Sequence, residues 1–185
     1  IVINRVSVGV QSLTNKDLKV LGRDHNKDQA LEAVEIVRKW FKNFNLDFIY
    51  GRQYQSTGMW EDELLQIISL EAPHLSLYQL TIEENTSFYK LFKRDLLKGL
   101  PTKKIAAEMY DITKRLCEDG DYKQYETSNY ARKGFRCKHN LSYWKYNDYI
   151  GVGPGAHGRI KISGKRYATE EERNPDVWLE KTVAS

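Results

Sequence analysis

Along most of this chain, short stretches of strand character are separated by long helical ones, and that alternation restricts the fold more than any other feature. From Ile3 to Val10 the apolar Val6, Val8 and Val10 alternate with Arg5, Ser7 and Gly9, the period of two expected of a strand, and Gln11-Ser12 closes it. The opening Ile1-Val2-Ile3 runs directly into this β-like pattern. Between Asp28 and Phe44, Leu31, Val34, Val37 and Phe41 recur at three- and four-residue steps while Glu32, Glu35, Arg38 and Lys42 occupy other faces, which predicts an amphipathic helix. Leu46 to Tyr50 reads as a short buried strand closed by Gly51. Trp60, Leu64, Ile67 and Ile68 form the next helical stripe, and His74 to Thr81 is a third strand. A further helix is expected over Lys103 to Glu118 on Ile105, Met109, Ile112 and Leu116, with Gly120 placed to end it. Tyr122 to Thr127 is again strand-like. The order β-α-β-α-β-α-β predicts an α/β fold with a parallel sheet joined by right-handed crossovers. Four strands are too few for a closed eight-stranded barrel, so the expectation is part of a barrel or an open sheet.

Composition narrows the class. Of 185 residues, 41% are hydrophobic and 29% charged, with only 4 Pro and 12 Gly, which fits a folded chain and excludes disordered and collagenous ones. The 29 basic against 25 acidic side chains leave +4, scattered along the chain, so no nucleic-acid partner is expected. Two cysteines, Cys117 and Cys137, make no disulfide framework, and a reducing compartment fits better. No run approaches the roughly 20 apolar residues that cross a bilayer, and no secretory pattern opens the chain, so a soluble protein is expected. The absent initiator Met and a helix-like stretch cut off at Val183-Ala184-Ser185 lead us to expect a piece of a longer protein. We expect two regions: 1–128, the α/β alternation, and 129–185, richer in Tyr, Gly, His and Trp without a clean helical period.

In parallel α/β folds, chemistry gathers at the carboxyl ends of strands. Gln11 closes the first strand, Asp47 lies within the second, Thr81 closes the third, and Arg23 follows a short helical turn after Gln11. Asp47 stands out, because a carboxylate in a strand of Leu, Phe, Ile and Tyr is costly unless something satisfies it; Ile49 and Gly51 share its face. A structural pairing of Asp47 and plain turn roles for the other three are the ordinary readings. Asp47 to Gly58 carries a polar strand-to-helix loop where a ligand could sit against helix amides.

The densest signal is the run Cys137 to Tyr146 with Tyr149, where His139 and a thiol lie among Tyr143, Trp144, Tyr146 and Tyr149. Imidazole is an axial ligand for haem iron, and aromatic faces receive a flat porphyrin; packing within the loop is the ordinary alternative. Zinc fits less well, since only Cys137 and His139 lie close in sequence where four ligands are needed. Gly151 to Ala156 has the letters of a dinucleotide fingerprint, but the strand alternation from His157 to Lys161 and the missing amide of Pro154 argue for a glycine-rich turn, with His157 a candidate ligand contact. The sequons at Asn85 and Asn140 are discounted, as nothing signals secretion.

The segments Asn4 to Ser12, Leu21-Gly22-Arg23, Leu46 to Gly51, His74 to Glu83 and Gly151 to His157 resemble, in order, the motifs of radical S-adenosylmethionine proteins related to oxygen-independent coproporphyrinogen III oxidase. Tyr125 to Ala131 and above all His139-Asn140-Leu141-Ser142-Tyr143-Trp144 resemble the HemW-like haem-chaperone branch, whose element the oxidases lack. This resemblance implies the later strands of a partial (β/α)6 barrel and the start of the region after it. It also implies that Gln11, Arg23, Asp47, Ile49 and Thr81 contact S-adenosylmethionine and that His139 binds haem iron. Respiratory haem proteins as acceptors and an association with the membrane surface are implied as well, while the reducing compartment that the cysteines fit leads us to expect the cytoplasm, with the mitochondrial matrix as the alternative. The oxidase activity is the alternative function. Two departures stand beside it. The cysteine triplet that holds a [4Fe-4S] cluster is absent, Cys117 and Cys137 being no substitute, so the triplet is expected upstream and this chain is not expected to be catalytic alone. The usual Leu-Pro-Gly after Gly51 is Arg52-Gln53-Tyr54, with Gln55 kept.

Overall fold

The structure, a computed structural model, describes residues 3–84 and 86–183. The expectations placed on Ile1, Val2, Asn85, Ala184 and Ser185 lie outside these residues. The chain forms two compact units, residues 1–136 and 137–185.

The first unit is an α/β sheet with helices supplying its apolar cover. β1 (Val6–Gln11), β2 (Phe44–Tyr50) and β3 (His74–Gln79) run parallel in that order, as expected. β1 is followed by α1 (Asn15–Val20) and α2 (Lys27–Trp40), β2 by α3 (Thr57–Ser69), and β3 by α4 (Ser87–Lys93) and α5 (Lys103–Asp119). α2 opens on a capping box in which the Asn26 side chain accepts from the Gln29 amide and the Gln29 side chain accepts from Asn26, satisfying two otherwise orphaned donors.

Phe44, Leu46, Phe48, Tyr50, Leu75 and Leu77 on one sheet face bury against Val34, Trp60, Leu64, Ile67, Met109 and Leu116 from α2, α3 and α5. Trp60 is completely buried; its ring stacks on Tyr50 at 4.9 Å and its indole N–H donates to Thr113 Oγ1 at 2.8 Å. Burial pushes the Tyr50 phenol up to about 12, and it raises the Cys117 thiol to about the same value.

The fourth strand departs from expectation. The strand-like run after α5 splits into β4 (Lys123–Gln124) and β5 (Asn129–Ala131), and β5, not β4, lies beside β3, antiparallel, in the order β1-β2-β3-β5-β4. The reason is connection length. Only four residues join β4 to β5, a hairpin turn in which Glu126 Oε1 accepts from the Ser128 amide at 3.1 Å, whereas a parallel pairing needs a crossover of a dozen or more.

Gly120 does end α5, but with φ −86 rather than in the left-handed conformation; that turn falls on Asp121, φ +68. Glycine is required at 120 because a Cβ there would lie 2.9 Å from Ile68 Cγ2.

The second unit holds α6 (Lys138–Trp144), an antiparallel hairpin of β6 (His157–Ile162) and β7 (Lys165–Glu170), and α7 (Pro175–Val183). The strand expected from His157 is β6. Gly151 to Ala156 lies in the loop before it and opens no helix, in agreement with the rejection of the dinucleotide reading. A Cβ on Gly151 would fall 2.4 Å from the His157 carbonyl oxygen, so close backbone approach demands glycine there. Among the described residues no helix is long and apolar enough to cross a membrane.

Candidate functional site

Strand pleating sends alternate side chains to opposite faces, so while Leu46 and Phe48 enter the core, Asn45, Asp47 and Ile49 share the other face. Their register partners add Ser7 and Gly9 from β1, and His74, Ser76 and Tyr78 from β3; Asn129 pairs with Ser76 from β5. This face is polar and continuously hydrogen-bonded. The Asp47 carboxylate accepts from Ser7 Oγ at 2.8 Å and from Asn45 Nδ2 at 2.7 Å. Asn45 Oδ1 lies 3.1 Å from Ser76 Oγ and 2.6 Å from His74 Nδ1. Ser76 Oγ donates to Asn129 Oδ1 at 2.7 Å, and the Asn129 amide donates to Glu126.

The protonation state of His74 follows from its neighbours. A carbonyl oxygen at Nδ1 requires a proton there, so Nε2, 2.7 Å from the Tyr125 hydroxyl, accepts the phenolic proton. Burial first, and the Arg5 guanidinium second, push this imidazole down to about 3. The unfolded chain takes up that proton near 6.5, the folded one only near 3, so between these values the unfolded state binds more protons. Stability contributed by neutral His74 is complete above pH 6.5 and is lost as pH falls toward 3, by at most about 1.4 kcal/mol per pH unit. His74→Gln should flatten the decline of urea-unfolding stability between pH 7 and 4; an unchanged slope contradicts this assignment.

The residues expected to contact S-adenosylmethionine fall as follows. Gln11 ends β1 with φ +70, just past a register shift between Gly9 and Gln11. Its amide folds back over Gly9, where a Cβ would stand 2.8 Å from Gln11 Nε2, and Gly9 is the register partner of Asp47. Gln11 and Asp47 are thus neighbours on the sheet. Ile49 lies half-buried two residues beyond Asp47. Thr81 lies two residues past the end of β3, exposed, with its hydroxyl donating to Glu83 at 3.2 Å. Arg23 is exposed in the loop after α1, next to Gly22 with φ +68.

Behind the strand ends lies a buried charged cluster. Arg52, 3% exposed, ion-pairs with Asp17 of α1 at 3.0 Å and with Glu63 of α3, and it donates to the Ile49 carbonyl at 2.6 Å. Glu63 also accepts from Ser12 Oγ at 2.9 Å and the Leu13 amide at 2.8 Å, while Gln55 Oε1 accepts from the Gly51 amide at 2.8 Å. The departure at Arg52 is therefore the hub that ties the ends of β1 and β2 to α1 and α3.

In the second unit, His139 is exposed near the start of α6; its Nε2 lies 2.9 Å from the Tyr143 hydroxyl, one turn on, and the rings meet edge to face at 4.7 Å. Tyr143 meets Tyr149 edge to face at the same distance. Trp144, Tyr146, Ile150 and Val152 are also exposed, from 64% to 84%. His157 is exposed at the start of β6, 4.0 Å from Glu170. Among the described residues no group of three or more His, Cys, Asp or Glu could hold a metal ion, and Cys117 is sealed in the core.

Sequence reasoning singled out Asp47 and passed over Ser7, Asn45, His74, Ser76 and Asn129. The available signal was polar residues at alternate positions in three successive strands, a second face as continuous as the apolar one.

No protein-family model matches the chain. Among curated proteins it is 40% identical over 180 residues to heme chaperone HemW of Escherichia coli, covering 96% of this chain and 46% of that protein. It is 42% identical over 180 residues to heme chaperone HemW of Haemophilus influenzae, covering 96% and 45%. With the mitochondrial radical S-adenosyl methionine domain-containing protein 1 of Danio rerio it shares 38% over 182 residues, covering 96% and 41%. The chain spans less than half the length of these relatives. Among solved structures it matches coproporphyrinogen III oxidase (HemN) from E. coli, described as a radical SAM enzyme, with a TM-score of 0.77 at 16% identity over 99% of this chain and 44% of that one. At that identity the likeness shows the fold, and the fold is the expected one.

Proposed function

Proceeding from the chain's homology to part of the heme chaperone HemW and radical S-adenosyl methionine domain-containing protein 1, we propose that it supplies the haem-binding segment and part of the S-adenosylmethionine cradle of a haem chaperone. The observation that carries the reading is the exposed imidazole of His139 set among the rings of Tyr143 and Tyr149. The donor set fits haem: a reachable nitrogen for the iron and exposed aromatic and apolar side chains for the porphyrin face. His139 would be the axial ligand.

The first unit fits a nucleoside cofactor at the ends of β1 to β3. Asp47 is half-buried and reachable, and its two bonded donors leave carboxylate lone pairs free for a ribose diol. Gln11, Arg23, Ile49 and Thr81 would complete the contacts. The [4Fe-4S] cluster would take its ligands from elsewhere in the full protein. Haem would then pass to respiratory haem proteins, in the cytoplasm or in mitochondria.

Asp47→Ala in the full-length protein should weaken S-adenosylmethionine binding about tenfold by calorimetry, the equivalent of ~1.4 kcal/mol. Undiminished affinity would make Asp47 purely structural. The function itself is tested by mixing haem-loaded full-length protein with an apo haem protein. Transfer without anaerobic turnover of coproporphyrinogen III supports the chaperone; turnover favours the oxidase.

A further inference from the structure

In the first unit, a cavity of about 600 Å³ opens beside the β4–β5 edge of the sheet, lined by Asp121, Lys123, Ala131, Arg132, Lys133 and Arg136. Four cationic side chains face one carboxylate, so the cavity carries a net +3 (4 − 1). In a chain whose whole net charge is only +4, this concentration stands apart.

The two guanidinium groups are held in place by aromatic rings. Arg132 lies 5.1 Å from the centroid of Tyr122, a fully buried ring fixed by its hydroxyl donating to the Ala72 carbonyl at 2.6 Å. The Arg132 backbone is pinned by its amide donating to the Pro73 carbonyl at 3.0 Å. Arg136 lies 5.9 Å from the centroid of Tyr125, whose hydroxyl bonds to His74. Arg132 Nε is closed off from solvent and has no hydrogen-bond partner.

We propose that this cavity binds a small molecule bearing two or more oxyanion groups, phosphate or carboxylate. The shape selects a discrete ligand over a flat anionic surface, because a concave site within the ~300–1,000 Å³ range of small-molecule sites is far larger than one oxyanion requires. The chemistry selects an oxyanion. Arginine forks match the planar carboxylate and the phosphate edge, and the two lysines add compact charges at exposed positions.

Calorimetric titration of the 185-residue chain with pyrophosphate and, separately, citrate tests this. Saturable one-to-one binding of at least one of them is expected, weakened at least tenfold in Arg132→Gln and unaffected in Lys104→Gln on the exposed face of α5. The exposed pair Lys123→Glu/Lys133→Glu, which leaves the core intact, should abolish binding without altering the circular dichroism. The phosphate and carboxylate arms decide which oxyanion is preferred. Absence of saturable binding to both overturns the proposal, as does binding lost equally in Lys104→Gln, or binding only to vesicles of anionic phospholipid. His139→Ala should leave the anion isotherm unchanged, so failure here and failure of the haem reading are read separately.

Discussion

His139→Ala is expected to weaken haem binding about tenfold or more and to shift or erase the Soret band of the loaded protein. The size follows from removing the nitrogen proposed to hold the iron, where ~1.4 kcal/mol already corresponds to a factor of ten. Apolar and aromatic contacts from Trp144, Tyr146, Ile150 and Val152 would remain, leaving weak, spectrally altered haem. Tyr143→Phe separates the ligand role from packing. It removes the hydroxyl 2.9 Å from His139 Nε2 while keeping the edge-to-face ring, so the iron gains free access to the nitrogen and affinity should hold or rise. If His139→Ala leaves spectrum and affinity unchanged, His139 is not the ligand.

Arg52→Ala should destabilise the first unit by about 3–5 kcal/mol, because it leaves Glu63 buried without its cationic partner. A shift in the urea-unfolding midpoint with an unchanged slope is the signature. The double variant Arg52→Met/Glu63→Met should recover only part of the loss, since replacing a buried ion pair by apolar residues is often neutral but the Ser12 hydroxyl and Leu13 amide lose their acceptor on Glu63. A loss below about 1 kcal/mol in the single variant would show the pair to be solvated. Because Arg52 also donates to the Ile49 carbonyl and bridges α1 to α3, the single variant should loosen the strand ends that carry Gln11 and Asp47.

The parallel core was legible because a single apolar period decides each element: Val8 and Val10 for β1, Val34 and Val37 for α2, Leu64 and Ile67 for α3. The run after Gly120 was not, because residues 122–127 carry strand propensity in either direction and only the four-residue connection to Asn129 fixes the pairing as antiparallel. Asp47 could be picked out as an unpaired charge among apolar neighbours. Its partner Ser7 comes from β1, and single-strand patterning does not reveal that cross-strand bond, whereas Asn45 precedes Asp47 by two residues on the same strand. Arg52 registered as a departure from a motif, yet its role depends on Asp17 and Glu63, 35 residues before and 11 after it, brought together only by the fold. In the second unit, the aromatic density around His139 was plain in the sequence, while the one-turn helix geometry that sets Tyr143 against its ring needed the structure.

The most direct test is resonance Raman spectroscopy of the chain loaded with ferrous haem. The account predicts an iron–histidine stretching band that disappears in His139→Ala. A loaded wild-type chain with no such band, or with one that survives the substitution, would contradict it.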